Sequence, residues 1–413
     1  TPAAACGSAS IDLGASSSSG STVEWYNSLS GGSSINSGST YTTPTLTATT
    51  TYYTSTTDAN GCTASPREAI DATINSIPTS DAGTDKNTSS MCGLYSVSMD
   101  AILDPGFTGE WSVLSGVNVL PNDPTDPVTT IYPASYGGTT ILQWEITNSS
   151  TGCQDTEDVE VSFLQPTTSN ISNPQTGELL WGGMQNNDWG NSSNWYEYQS
   201  GSYWKTMASG EPSNSHKVYI ISGNDGGTCV SDINFATPAN NDNVKDLNVM
   251  TGAALNLSTG SNLRVKGDIN INGSINSGTD SRIVMSGTSD QSINGNASTF
   301  YNLKINKNSG DLYINTPVVV SNLFTMTAGN IINSSLLCLG ESSSKYGTLV
   351  YSSGFIYGAF KRYFPETAIN DVLFPVGKAG YDKEMSISFN SSPGIDQYIT
   401  SEFILGVPGS GSG

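Results

Sequence analysis

Charge is scarce in this chain of 413 residues: only 12% are Asp, Glu, Lys or Arg, about half the usual share of a globular protein. Lys and Arg are scarcest, 15 against 36 carboxylates, for a net charge of −21. A nucleic-acid binder needs a basic stripe to displace counterions from phosphates, and none is present, so nucleic acid is excluded as a partner. Attraction to an anionic membrane surface is disfavoured on the same ground. No apolar run approaches the length that spans a bilayer, so direct membrane insertion is not expected. The single histidine, His216, is a poor start for a multi-histidine zinc site or a Ser-His-Asp triad. Its setting, Pro212-Ser-Asn-Ser-His-Lys-Val218, reads as a turn before a strand.

Ser, Thr, Asn and Gly dominate instead, and 36% hydrophobic residues with 9% aromatics are enough to build cores. Abundant Thr, Val, Ile and Tyr favour strands, while Gly, Asn, Asp and Pro supply turns. The expectation is an all-β chain of roughly three domains' length. Thinly spread negative charge serves solubility. A calcium site in the loop Pro121–Pro127, or at Asp81 and Asp85, is the alternative, since hard cations take clustered oxygens. Plain turns are the simpler reading, and no cofactor is expected.

Six cysteines point to an oxidising compartment. Cys6 and Cys62 bracket Trp25, and Cys92 and Cys153 bracket Trp111 and Trp144. Each pair is expected to form a disulfide that staples one β-sandwich, with Trp25 packed on the first bridge as in immunoglobulin-like folds. Residues 1–78 form the first sandwich, with Asp58-Ala-Asn-Gly-Cys62 as a hairpin turn. Residues 79–165 form the second, with central strands at Gly109–Val113 and Thr140–Ile146 and a final strand at Asp158–Phe163.

The pair Trp25-Tyr26, the Thr-rich run Tyr41–Tyr53 and the ending Asn60-Gly-Cys62 resemble the Ig-like repeats of type IX-secreted surface proteins and gliding-motility adhesins of the Bacteroidetes. Asp81-Ala-Gly-Thr-Asp85, Cys92-Gly93, Gly109-Glu-Trp-Ser-Val113 and Gly152-Cys153 resemble the PKD-like repeats that accompany them. In those proteins the repeats are spacers that hold a distal module away from the cell. The resemblance covers most of residues 1–165 and carries no catalytic residues.

Residues 166–217 begin with a Pro/Ser/Thr linker and carry Trp181, Trp189, Trp195 and Trp204, a pattern also similar to those surface proteins. Two readings stand: the rings cap the open first rung of a solenoid, or Trp189, Trp195, Tyr196 and Trp204 offer flat faces to a glycan. From residue 218 to 345 apolar pairs recur at i, i+2: Leu247/Val249, Leu255/Leu257, Leu263/Val265, Ile269/Ile271 and onward. The first three begin eight residues apart, which predicts a parallel β-helix with about three strands per coil. Asn248, Asn256, Asn262, Asn270 and Asn272 are read as corner residues, where left-handed backbone is cheap for Asn. Cys229 and Cys338, at opposite ends of this stretch, are expected to be buried free thiols.

Residues 346–413 read as a small β cap ending in a linker-like Gly409–Gly413. The segments Gly354–Gly358, Lys361-Arg-Tyr-Phe364 and Phe374-Pro-Val-Gly377 resemble the tail of the same surface proteins, and Lys361 and Arg362 are expected to pair with carboxylates. No signal peptide opens the chain, as in a mature exported fragment. Together these readings predict a non-enzymatic structural or adhesive segment, a stalk or adhesin, at the bacterial outer surface or outside the cell. Its partners would be neighbouring domains of the same long chain and an extracellular polysaccharide or surface. One alternative is a glycan-binding module using the Trp-rich and solenoid surfaces. The other is a β-helix polysaccharide-degrading enzyme drawing on Asp232, Asp242, Asp246, Asp268, Asp280, Asp290 or Asp311, which needs two carboxylates about 5–10 Å apart.

Overall fold

The computed structural model describes the chain apart from residues 95, 117–119, 134–135, 167, 169–170, 184–186, 201, 223–228, 230–237, 239, 335, 383 and 405–413. Asp232 and the tail 409–413 lie outside the described residues. Among those described the chain is all-β, with short 3-10 turns at Ser89–Met91 and Ser192–Asn194 and no α-helix. Two compact units result: residues 1–88 with 95–162, and residues 89–94 with 163–413.

In the first unit, Thr22–Tyr26 lies between Asn36–Ser37 and Thr50–Thr57, and Glu68–Asn75 joins the latter to Ala3–Cys6. Alternation along Thr22–Tyr26 turns Val23 and Trp25 inward, where they meet Ile11, Leu13, Tyr52 and Ala72. The Trp25 indole donates to Gly38 O at 2.8 Å. The turn at Asp58 forms as its composition predicts: Asp58 Oδ1 accepts from Asn60 N and Cys62 N, both at 2.9 Å, and Gly61 takes φ +81°. The second half is an antiparallel sheet of Phe107–Ser115, Thr140–Asn148 and Gln154–Val161. Trp111 stands opposite Trp144 across it, with ring centroids 5.0 Å apart.

The disulfides differ from the expected pairing. Cys6 joins Cys153 and Cys92 joins Cys229, while Cys62 is exposed and free and Cys338 is buried and free. Cys6 is in register with Asn75, the last residue of the exit strand Glu68–Asn75, so it meets the sequence that follows. Cys62 lies beyond the opposite end of that strand, whose eight residues span about 25 Å, far outside bridging distance. Trp25 accordingly packs on aliphatic and tyrosine side chains, with no bridge against it. Cys229 is not a free thiol because the segment Ser89–Leu94 belongs to the second unit and brings Cys92 to it.

The second unit is a parallel β-solenoid of about six turns built on three faces. Leu247, Leu255 and Leu263 fall on different faces, so the eight-residue spacing measures one strand plus one corner. In the next rung they are in register with Ile269, Ile275 and Ile283. Leu247, Val249, Leu255, Leu263, Val265, Ile269 and Ile271 are all 0% exposed. The solenoid begins before residue 218 and continues beyond 345. Leu179–Trp181 pairs in parallel with Val218–Ile220, and Leu337–Leu339 pairs with Phe360–Arg362. Antiparallel Tyr398–Ser401 then closes the sheet. Phe364, Val372, Phe374 and Val376 share the solenoid's core cluster, so the C-terminal residues form a lid on one core instead of an independent sandwich.

The asparagines are not left-handed corners; none of the five takes a positive φ. Asn248, Asn270 and Asn294 stack in register on one face. Asn270 Nδ2 donates to Asn248 Oδ1 at 3.0 Å, Asn294 to Asn270 at 2.9 Å and Asn315 to Asn294 at 2.8 Å. An amide side chain carries a donor and an acceptor, so identical residues one rung apart pair head to tail.

Candidate functional site

The four aromatic side chains expected to meet a sugar are interior: Trp189 and Trp195 are 0% exposed, Tyr196 2% and Trp204 3%. Trp181, Trp189 and Trp195 pack edge and face at centroid distances of 4.7–6.5 Å over the first rung, and the Trp195 indole donates to Trp189 O at 2.8 Å. Trp204 and Tyr196 belong to a second cluster with Cys92, Leu180, Tyr219 and Cys229. Tyr196 Oη donates to Cys229 O at 2.9 Å, and burial pushes its phenol well above the usual range. Trp181, Trp189 and Trp195 thus belong to the solenoid's own core, whereas Tyr196 and Trp204 pack on the opposite face of its first sheet, and all five rings are used in packing. Periodicity cannot separate the two outcomes, because a ring that covers a core and a ring that stacks on a ligand have the same sequence signature.

A polar groove lies on the solenoid's side, with a volume of about 810 Å³. It crosses successive rungs: Asn276 and Ser277, then Thr299 and Tyr301, then Ser321 and Asn322, then Gly347 and Thr348. Two of its residues are fixed by ladders, Asn276 Nδ2 donating to Asn256 Oδ1 at 2.7 Å and Asn322 Nδ2 to Asn302 Oδ1 at 2.9 Å. The loop 340–347 forms one wall. Its Ser343 is buried, with backbone N donating to Asp396 Oδ1 and Oγ to Glu366 Oε1, each at 3.0 Å. Glu341 and Lys345 are the charged lining residues, and they pair with each other at 3.2 Å. Tyr346 is 39% exposed at the rim. Nothing in the sequence signalled this groove, since its residues come from four rungs and one loop.

Three of the carboxylates considered for catalysis hold backbone N–H groups of the following rung. Asp246 Oδ1 accepts from Asp268 N at 2.8 Å, Asp268 Oδ1 from Ser292 N at 2.7 Å and Asp290 Oδ1 from Asp311 N at 2.9 Å. Asp280 occupies a left-handed turn at φ +59°. His216 Nδ1 accepts from Ser213 N at 3.0 Å inside its own turn. Asp123 Oδ1 takes Thr125 N and Asp81 Oδ1 takes Gly83 N, both at 2.9 Å. Among the described residues no three His, Cys, Asp or Glu side chains are grouped to hold a metal ion.

Lys361 and Arg362 do not meet the carboxylates expected of them. The Lys361 ammonium lies 3.6 Å from the centre of the Tyr398 ring and donates to Tyr363 Oη at 3.0 Å. Arg362 points inward, donates to Leu373 O and sits over Phe374. Burial pulls its pKa down to about 10. A cation over an aromatic face is stabilised without a counter-ion.

No curated protein matches the chain. Among solved structures, fibronectin(III)-like modules of Clostridium thermocellum CbhA align with 13% identity, covering 42% of this chain and 94% of theirs, at a TM-score of 0.24. That likeness is too slight to carry any inference. The N-terminal sandwich has a firmer assignment: residues 1–76 match the family described as an Ig-like domain, CHU_C associated.

Proposed function

We propose that this chain is a structural and adhesive segment of a secreted bacterial surface protein, a stalk or adhesin without catalytic activity. The observation that carries the reading is the use made of the solenoid's carboxylates. Asp246, Asp268 and Asp290 each hold the backbone of the following rung, which gives them a structural use. The Ig-like match over residues 1–76 supports an extracellular module, as do the two disulfides. Export by a type IX route and a role in gliding or surface attachment belong to the same proposal, on the resemblance of the repeats.

The test combines location and chemistry. Surface labelling of intact cells should find the protein outside, and export should stop when the type IX machinery is deleted. Incubating the purified chain with neutral and acidic polysaccharides should release no reducing or unsaturated ends. Measurable release would replace this reading with the polysaccharide-degrading one.

A further inference from the structure

We infer that the groove beside Tyr301 and Tyr346 binds an uncharged polysaccharide, held as an extended segment along the solenoid axis. This deepens the adhesive reading above and rests on it. Length comes first. The groove crosses four successive rungs, and three strand spacings amount to about 14 Å, which suits about two or three sugar rings and exceeds a single one. Direction follows from the same geometry, because equivalent hydroxyl and amide groups recur once per rung, at a spacing close to one pyranose unit.

Charge narrows the ligand class. The Glu341–Lys345 pair cancels within the wall at 3.2 Å, so the lining offers no net cation to a uronate or sulfate. The chain as a whole carries −21, which repels polyanions at low salt. A neutral glycan meets neither obstacle. Its hydroxyls both donate and accept, and so do the Thr299 and Thr348 side chains along the groove, while Ser277 and Ser321 give their hydrogens to Thr299 O and Phe300 O and present acceptor oxygens. Asn276 and Asn322 commit an N–H to the preceding rung and present carbonyl oxygens already held in place. The tyrosine rings supply flat apolar faces for the C–H sides of the sugar. A site built on paired rungs and a braced loop loses little entropy on binding.

The test is titration calorimetry of the intact chain against cello-, xylo- and manno-oligosaccharides of increasing length, with polygalacturonate as the anionic comparison. At least one neutral series should bind, gaining affinity up to about three units and little beyond, with no dependence on salt. Tyr346→Ala removes an exposed side chain, leaves thermal stability unchanged and should weaken binding about tenfold or more; Tyr301→Ala should do the same. Tyr381→Ala, exposed and outside the groove, should bind as the parent does. Binding to no neutral series, binding unchanged in both groove variants, or salt-sensitive preference for polygalacturonate would each overturn the inference. Binding that survives the groove variants leaves the adhesive reading standing elsewhere on the surface, whereas release of sugar ends removes that reading as well.

Discussion

Lys307 Nζ and Gln291 Oε1 lie 2.9 Å apart in the interior of the solenoid, where Lys307 is 1% exposed. Lys307 also donates to Ser289 O at 2.7 Å and Gly287 O at 3.4 Å. The Gln291 amide in turn donates to Val265 O at 3.2 Å and Gly267 O at 2.6 Å. One polar chain therefore ties three rungs together within an apolar column. No carboxylate stands within ion-pair distance of Lys307 among the described residues. Burial lowers its pKa, against the opposing pull of Asp290, Asp311 and Asp268.

Lys307→Ala is predicted to cost about 3 kcal/mol or more, because it orphans several buried acceptors and opens a cavity. Calorimetry should register the loss. The pH dependence has a definite sign. With a folded pKa below the usual 10.5, the unfolded chain binds more protons between the two values, so this group's contribution rises as pH climbs toward 10.5. Lys307→Met should remove that alkaline gain. An unchanged slope in Lys307→Met would show that Lys307 is not the group responsible.

Non-reducing peptide mapping should recover Cys6 cross-linked to Cys153 and Cys92 to Cys229. Cys62 should react with maleimide in the native protein. Cys338 should resist until denaturation, since burial blocks access and pushes its pKa up to about 11. Replacing either bridge by serines should cost about 2–5 kcal/mol. A Cys6–Cys62 peptide would show that the first sandwich is stapled internally after all.

Ile271→Ala is expected to lose about 2–5 kcal/mol and Ile269→Val about 0.5–1.5 kcal/mol, both residues being 0% exposed in the stacked column. Ile271→Asp should prevent folding of the surrounding rungs, because the charge would have no partner there. Urea midpoints measure the first two, and hydrogen exchange maps the third. Equal stability of all three variants would place these side chains outside the core.

Asn270→Ala breaks the ladder at both its bonds, to Asn248 and from Asn294. A loss of about 1–3 kcal/mol is expected, exceeding that of Asn296→Ala, whose amide bonds are exposed. Comparing the two denaturation midpoints decides whether the ladder is cooperative.

The solenoid was legible because its signal is local. The i, i+2 pairs give strands, and the eight-residue step from Leu247 to Leu255 to Leu263 gives one strand per face, so the inward set follows without knowing the fold. The side groove was not legible, because Tyr301, Asn322 and Tyr346 are neighbours only after the rungs stack.

The amino-acid sequence by itself determined that the chain is all-β, that residues 1–76 form an Ig-like sandwich, and which apolar side chains fill the coils. Composition and two-residue alternation act within a strand, so they survive in one dimension. Tertiary structure alone decided the cysteine partners, the burial of Trp189, Trp195, Tyr196 and Trp204, and the asparagine ladders. Each depends on distances between segments far apart in the chain. Cys6 has five other cysteines of equal chemical aptitude to choose from, and the end of the strand beside which it pairs selects Cys153 over Cys62.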